Sequence, residues 1–252
     1  MNSGMYAALS GSMASIQRME VLTNNLANLN TTGFKRDRVL FESVLANVNS
    51  TTPASPAVAA SPVTAARTPL HTGGTVVTDY SGGPVRQSGV PLDFALDGEG
   101  YFVVKSAEGT AYTRQGNFHL DAGGKLLTAQ GDEVQGSNGG AITVVGNKIE
   151  VDAQGGIFAD GNQVGSLNVV EFPKPYTLQK VGGALFTAGE GVTAEPAKST
   201  GVKQGFLEDS NVNPILEMAN LIETSRYYES CLKAVKSYDD MAAKATGELG
   251  KL

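Results

Sequence analysis

The N-terminal stretch Ser3–Asn28, with the sequence SGMYAALSGSMASIQRMEVLTNNLAN, decides what kind of fold this chain can adopt. Mostly apolar or small side chains recur along it at alternating spacings of four and three residues, at Met5, Leu9, Ser12, Ile16, Met19, Thr23 and Leu26. This spacing places them along one stripe of an α-helix. Because such a stripe is stable only against another helix, the sequence predicts a long helix that needs a partner.

A matching pattern lies near the C-terminus. Asn213 is a suitable N-cap, and Pro214 fits the first helical position, where its missing N–H would have no intrahelical partner. The stripe that follows consists of Met218, Leu221, Ser225, Tyr228, Leu232, Val235 and Ala242, with Ile222 beside it. We therefore predict a second helix that ends at about Lys244. The two helices can pair with each other, with neighbouring subunits or with both.

The region between the helices indicates β structure. Short runs such as Phe94–Leu96, Tyr101–Val104 and Phe118–Leu120 alternate with glycine-containing turns between Val90 and Leu207. Many short strands with such turns are typical of an antiparallel sandwich or barrel. The predicted class is α+β: long N- and C-terminal helices forming a coiled-coil-like module, with a central antiparallel β domain built as an irregular sandwich or barrel.

The pattern divides the chain into four segments. Residues 1–46 carry the first helix and residues 208–252 the last one, with an extended Ala/Pro/Ser-rich arm at 47–83 and the β domain at 84–207. Prolines in the arm block helix formation there. The spacing of apolar residues also predicts a short amphipathic helix over Asp37–Val48, just before the arm.

Composition excludes several classes of partner. The chain of 252 residues has a formal net charge of −6 and a pI near 5.0, and its Lys and Arg residues are scattered. A nucleic-acid surface needs a clustered positive field, so no nucleic-acid partner is expected. No segment approaches the ~18 continuous apolar residues of a membrane span. The start of the chain also lacks the basic residues and the continuous apolar run of a cleaved signal peptide.

No pattern of catalytic or ligand-binding residues stands out. Ser230 and Lys233 have the spacing of a Ser-x-x-Lys motif, but they lie in the middle of the predicted helix without a companion motif. The two histidines, His71 and His119, are far apart in the sequence. The single cysteine, Cys231, is more simply a small residue on an apolar helix face. We therefore expect no catalytic site, no cofactor and no metal site.

Three parts of the sequence resemble the bacterial flagellar basal-body rod and hook family. The stretch Asn24–Arg36, NNLANLNTTGFKR, is similar to the N-terminal signature of that family. Asp97–Val104 and Tyr112–Gly131 resemble its central β domain, and Gly205–Pro214 resembles its C-terminal signature. The resemblance covers both ends and the middle in order, and only the arm matches poorly.

The N-terminal signature has a physical interpretation. Asn28 and Asn30 can bond the backbone where the first helix ends. Gly33 suits a sharp left-handed turn, and Phe34 can then fasten the departing chain to the helix. These residues are therefore expected to fix the direction in which the chain leaves the helix.

The resemblance implies a structural subunit of the flagellar basal-body rod, in the periplasm-spanning shaft, rather than an enzyme. It implies proximal and distal rod subunits as partners in a helical homo- or hetero-assembly. It also implies export by the flagellar type III apparatus without a cleaved signal peptide. Assembly contacts are expected at Leu9, Ile16, Met19, Leu26, Asn28, Gly33, Phe34, Met218, Leu221, Ile222, Tyr228, Leu232 and Val235.

Two other classes of protein stay open at this point. A secreted β-rich carbohydrate-binding protein or enzyme would need a concave cluster of acids or aromatics, and it would keep its ligand activity after removal of both ends. A free-standing coiled-coil adhesin would reach the cell surface independently of the flagellar exporter. Loss of all function on removal of the terminal helices would favour the rod subunit.

Overall fold

The computed structural model describes residues 2–40, 43–44, 70–71, 74–146, 148–189, 191–197 and 199–249. Helix α1 spans Asn2–Ala27, and helix α2 spans Pro214–Leu249. The strands up to Thr128 are β1 Asp37–Leu40, β2 Ser43–Val44, β3 Leu70–His71, β4 Thr75–Thr78, β5 Val85–Gln87, β6 Phe94–Asp97, β7 Tyr101–Ser106, β8 Gly109–Thr113, β9 Phe118–Leu120 and β10 Leu126–Thr128. The later strands are β11 Glu133–Val134, β12 Ile149–Val151, β13 Gly156–Ala159, β14 Asn162–Ser166, β15 Val169–Glu171, β16 Leu178–Gly182, β17 Leu185–Ala188, β18 Glu195–Pro196, β19 Gly201–Gln204 and β20 Phe206–Glu208.

The arrangement of these elements confirms the α+β class. A helix lies near each end of the chain, and the strand pairings within the described residues are antiparallel. The largest sheet has the order β16-β17-β8-β7-β11-β10-β9. A coiled-coil-like pairing of the helices and a sandwich or barrel in the centre stay predictions. Neither described helix combines the length and the apolar character that crossing a membrane requires.

Both helices begin or end close to where local sequence signals indicate. α1 ends at Ala27, and Gly33 beyond it adopts the left-handed conformation, with a φ of 67°. α2 begins at Pro214, directly after Asn213, and carries Glu217 in its first turn. A carboxylate at this position lies near the positive end of the helix dipole. The predicted start of the C-terminal helix is therefore confirmed.

The chain forms two compact units, each built from separate stretches of sequence. One unit, the helical unit, contains Met1–Asn24, Asp37–Thr78 and Ile215–Leu252. The other, the β unit, contains Asn25–Arg36 and Asp79–Pro214. The four-segment division made from the sequence stays a prediction.

The predicted amphipathic helix over Asp37–Val48 is wrong in its described part. Asp37–Leu40 forms β1 and pairs with β4, with Asp37 opposite Thr78, and Ser43–Val44 forms β2. The Thr78 hydroxyl donates to Asp37 Oδ1 at 2.6 Å, which fastens one end of the pair. β-branched residues on both strands favour extended backbone, and a short apolar run does not distinguish strand from helix. Residues 45–48, and the predicted arm at 47–69 and 72–73, lie outside the described residues.

Strand β7 is the centre of the β unit. It pairs with β8 along most of one edge, whereas β15 and β11 pair with the beginning and the middle of its other edge. Phe102 and Val104 belong to one buried apolar cluster, whereas Tyr101 and Val103 belong to another. This alternation follows the two-residue period of a strand and covers both faces of β7. The strand is therefore a rigid support for the residues beside it.

Candidate functional site

Helices α1 and α2 contact each other within the helical unit through small residues of α1. Gly4 lies against the phenol ring of Tyr238. A Cβ atom added to Gly11 would lie 3.3 Å from Cys231 Sγ and 3.4 Å from Tyr227 Oη. Because residues later in α1 meet residues earlier in α2, the two helices run antiparallel along this contact. Glycine allows the close approach, since it has no side chain to hold the helices apart.

The contact line on α2 has a spacing of seven residues. Glu217, Thr224 and Cys231 are buried at this spacing, and Tyr238 continues the series. On the part of α1 that lies in the helical unit, the buried residues are Gly11, Ser12, Ser15 and Leu22. Sequence reasoning identified Ser12 and Cys231 as residues of helix faces that pack, and both are buried. It missed the line as a whole because it followed the larger apolar side chains. The signal that could have revealed it is the recurrence of small residues on α1, together with the seven-residue spacing of Thr224 and Cys231 on α2.

The predicted stripes lie beside the contact line, and many of their large side chains face solvent. The exposed fractions are 45% for Leu9, 40% for Ile16, 48% for Met218, 56% for Ile222 and 45% for Leu232. The remaining predicted helix residues are half-buried: Met19, Leu26, Leu221, Tyr228 and Val235. The two predicted helices are therefore confirmed, whereas the role of these residues in assembly stays a prediction.

These exposed side chains form an apolar surface on the helical unit. We define the outer apolar face as Met5, Leu9, Met13 and Ile16 of α1 with Met218, Ile222 and Leu232 of α2. The helical repeat and the antiparallel contact place both sets on the same side of the helix pair. A groove on the other side is lined by Arg18, Glu223, Arg226 and Tyr227. Exposed apolar side chains grouped on one side of a helix pair make the outer apolar face a candidate for protein interaction.

In the β unit, the turn after α1 is held by the backbone of the C-terminal signature. The N–H of Gly33 donates to the carbonyl of Glu208 at 2.8 Å. A Cβ atom on Gly33 would lie 2.6 Å from the backbone nitrogen of Gln115, so only glycine fits here. The adjacent Thr32 hydroxyl donates to Asn117 Oδ1 at 2.9 Å, and earlier in the turn the Thr31 hydroxyl donates to Asn28 Oδ1 at 3.1 Å.

Phe34 and Lys35 follow Gly33 into the interior of the β unit. Phe34 is buried, and Lys180 Nζ lies 3.7 Å from the centre of its ring, a cation–π contact. The same ammonium group donates to the carbonyl of Lys35 at 2.8 Å. Phe34 thus lies in the β unit, where its ring is covered by Lys180, and its predicted role of fastening the chain to the helix stays a prediction.

Three buried charges form the signature cluster, which consists of Lys35, Arg114 and Glu208. Lys35 Nζ lies 2.6 Å from Glu208 Oε1, and Arg114 Nη1 lies 3.1 Å from Glu208 Oε2. The side chains of Lys35 and Glu208 are only 1% and 3% exposed. Arg114 also donates from Nη2 to the carbonyl of Gly98 at 2.7 Å and lies over the ring of Tyr101. Glu208 therefore joins two cations that belong to distant parts of the sequence.

Burial and pairing act in opposite directions on the pKa values of this cluster. Burial lowers the pKa of Lys35, and the nearby Glu208 carboxylate only partly offsets it. For Glu208, burial by itself raises the pKa, but the attraction of Lys35 and Arg114 and the hydrogen bonds to the carboxylate outweigh it. The pKa of Glu208 therefore lies below its ordinary value of 4.5. The carboxylate is ionised at neutral pH and is matched by two cations.

Asn211 connects the two signatures next to this cluster. Its side-chain oxygen accepts from the backbone N–H of Arg36 at 2.7 Å, and its Nδ2 donates to the carbonyl of Asp79 at 2.9 Å. Arg36 Nη2 in turn donates to Asp79 Oδ2 at 3.1 Å. Segments 33–36, 79–83 and 206–211 are therefore fastened together by charged and amide side chains.

Within the described residues, no group of three or more His, Cys, Asp or Glu side chains is arranged to hold a metal ion. The signature cluster itself presents two cations to one carboxylate. Lys35 Nζ, both carboxylate oxygens of Glu208 and the two terminal nitrogens of Arg114 make hydrogen bonds within the β unit, whereas Arg114 Nε is buried without a hydrogen-bond partner. Its chemistry is that of a structural junction.

Family models match three separate parts of the chain. Residues 5–35 match "Flagella basal body rod protein", and residues 95–159 match "Flagellar hook protein FlgE/F/G D1 domain". Residues 203–248 match "Flagellar basal body rod FlgEFG protein C-terminal". The first and last of these matches include the two signatures that meet at Glu208.

Individual relatives cover almost the whole chain. A flagellar basal-body rod protein FlgF of Caulobacter vibrioides is 31% identical over 100% of both chains. A flagellar basal-body rod protein FlgG of Bacillus subtilis is 33% identical over 94% of this chain and 95% of its own. A FlgF of Rhizobium meliloti is 32% identical over 99% of each. On this identity and coverage, the chain belongs to the flagellar basal-body rod protein family.

Proposed function

We propose that this chain is a subunit of the rod shaft that transmits torque from the motor to the hook, and that it assembles through its outer apolar face. The observation that supports the proposal is the row of large apolar side chains left in solvent on both helices. Burial of each Leu, Ile or Met contributes about 1.5–3 kcal/mol. Covering the face with helices of neighbouring subunits therefore stabilises a contact well enough to order both ends of the chain.

The partners we propose are proximal and distal rod subunits, in a helical array. A face that meets a different surface of the next subunit generates an open helical assembly instead of a closed dimer. Continuous rows of helix contacts along a shaft resist twisting, because close-packed side chains do not deform easily. We further propose that the subunit reaches the rod through the flagellar type III exporter, without a cleaved signal peptide.

A charge on the outer apolar face tests this function. Leu232→Asp and Leu9→Asp place a carboxylate where the proposed contact excludes water. We expect both variants to fold as monomers but to be missing from purified basal bodies and to leave cells non-motile. Ser237→Asp adds the same charge at an exposed position away from that face and is expected to assemble normally. A fully motile strain with Leu232→Asp in its rods would contradict the proposal.

The proposed position in the rod is proximal, as in FlgF. Full-length coverage by the Caulobacter vibrioides FlgF favours this position, whereas the 33% identity to the Bacillus subtilis FlgG makes the distal rod the second candidate. Controlled dissociation of basal bodies separates the two. A proximal subunit stays with fragments that retain the motor end of the rod, and a distal subunit stays with fragments that retain the hook end.

A further inference from the structure

We infer that the signature cluster is a conditional clasp, in which the N-terminal signature is ordered only when the C-terminal signature is in place. Ordering of Gly33–Arg36 then depends on Glu208 and Asn211. This inference concerns the β unit of a single chain and does not depend on the proposed place in the rod.

The first argument is that one residue holds the N-terminal signature in two ways. The carbonyl of Glu208 accepts from Gly33, and its carboxylate accepts from Lys35. The carboxylate also accepts from the backbone N–H of Gly83 at 2.8 Å, while Lys35 Nζ donates to the carbonyl of Ser81 at 2.8 Å. Removal of Glu208 from its place would leave both neighbouring segments with unmatched buried groups.

The second argument is the burial of Lys35. An ammonium group without its carboxylate is strongly disfavoured in a site that is 1% exposed. The nearby guanidinium of Arg114 adds repulsion, since both cations then face each other without the anion between them. The favourable alternative is for residues 33–36 to leave the site and return Lys35 to water. Loss of the Glu208 carboxylate therefore causes residues 33–36 to open locally, before the apolar clusters around β7 unfold.

The third argument is the distance along the chain. Lys35 and Glu208 are separated by 173 residues, and Arg114 and Glu208 by 94. Synthesis from the N-terminus therefore produces Lys35 and Arg114 long before their shared carboxylate exists. The clasp keeps the start of the chain from adopting its final connection to the β unit until the chain is nearly complete.

Hydrogen exchange on the full-length chain tests the inference directly. The reporters are the amides of Gly33 and Arg36, which donate to Glu208 and Asn211, and the amide of Val103 in β7, which donates to Asn168. For Glu208→Gln we expect at least about tenfold faster exchange at Gly33 and Arg36, with Val103 unchanged. Asp209→Asn is the matched control, because it removes the neighbouring exposed ion pair with Arg86; it should leave all three amides unchanged.

A double-mutant cycle keeps the test decisive if Glu208→Gln is poorly folded. Lys35→Met removes the buried ammonium group. The double variant Lys35→Met, Glu208→Gln should therefore recover part of the protection that Glu208→Gln loses. Its exchange rates at Gly33 and Arg36 should be lower than those obtained by multiplying the rate increases of the two single variants. The rate of trypsin cleavage after Arg36 should rank the variants in the same order as their hydrogen-exchange rates at Gly33 and Arg36. Strictly multiplicative effects, or loss of protection at Gly33 only together with Val103, would overturn the inference.

Discussion

Gly11 of α1 packs directly against Cys231 of α2, with only 3.3 Å between the position of a Gly11 Cβ atom and the sulfur. We expect Gly11→Leu to separate the helices, because its side chain would have to occupy the space of Cys231 and Tyr227. Overpacking of this kind costs about 1–3 kcal/mol. Circular dichroism at 222 nm should show earlier thermal loss of helix. Met13→Leu, at a position that is 64% exposed, is the control and should melt like the parent.

Gly33 combines a left-handed backbone with a crowded site. We expect Gly33→Ala to destabilise the β unit by more than the roughly 1–2 kcal/mol that left-handed backbone costs an L-residue, because its Cβ atom would clash with the backbone of Arg114 and Gln115. Gly139→Ala supplies the control, since φ is 76° and nothing lies within 4 Å of the added atom. Urea unfolding of both variants measures the difference. Equal destabilisation would mean that the close approach at Gly33 has no energetic role.

Asn211 supports the backbone of two other segments. Asn211→Ala removes its hydrogen bonds to the N–H of Arg36 and to the carbonyl of Asp79, which are both partly buried, and loss of the partner of a buried group costs about 1–3 kcal/mol. We expect a loss of at least about 2 kcal/mol in the free energy of unfolding. Asn138→Ala removes a hydrogen bond to the backbone N–H of Gly140 in an exposed turn, and it should change the free energy of unfolding little. Similar values for the two variants would contradict the role given to Asn211.

Acidification should weaken the signature cluster. Because the pKa of Glu208 is lower in the folded protein than its ordinary value of 4.5, its stabilising contribution is complete above that value and disappears as the pH falls through the folded-state pKa. At pH 7, Glu208→Gln should lower the free energy of unfolding by about 3–5 kcal/mol, the typical effect of breaking a buried pair. Urea titrations of both proteins should approach each other as the pH falls below 4.5 and through the folded-state pKa of Glu208. If the difference in the free energy of unfolding between the two proteins grew as the pH fell, ionisation of Glu208 would not be stabilising the folded protein.

The long periodic elements could be predicted from the sequence. Helix α1 was expected over Ser3–Asn28 and spans Asn2–Ala27, because a regular pattern over many turns leaves little ambiguity. The start of α2 was expected at Pro214 for a local reason, the Asn-Pro signal. The runs around Phe94, Tyr101 and Phe118 were found as strands for the same reason as the helices: their period and their glycine turns are local.

The failures have a common cause, which is that contacts distant in sequence decided the outcome. Asp37–Leu40 became a strand because Thr75–Thr78 pairs with it. The helix contact formed along Gly11 and Cys231 because small side chains allow close approach, and the larger apolar residues were left outside. The cluster of Lys35, Arg114 and Glu208 has no local pattern at all, so the sequence showed its residues only within the resemblance to a family.

The role of the outer apolar face can be measured in the assembled rod. A photo-crosslinking amino acid at Leu232, compared with one at Ser237, reports which side of α2 meets a neighbour in isolated basal bodies. We expect crosslinks to helices of other rod subunits from position 232 and none from position 237. Rods that incorporate both variants but crosslink from position 237 alone would contradict the claim that this face builds the shaft.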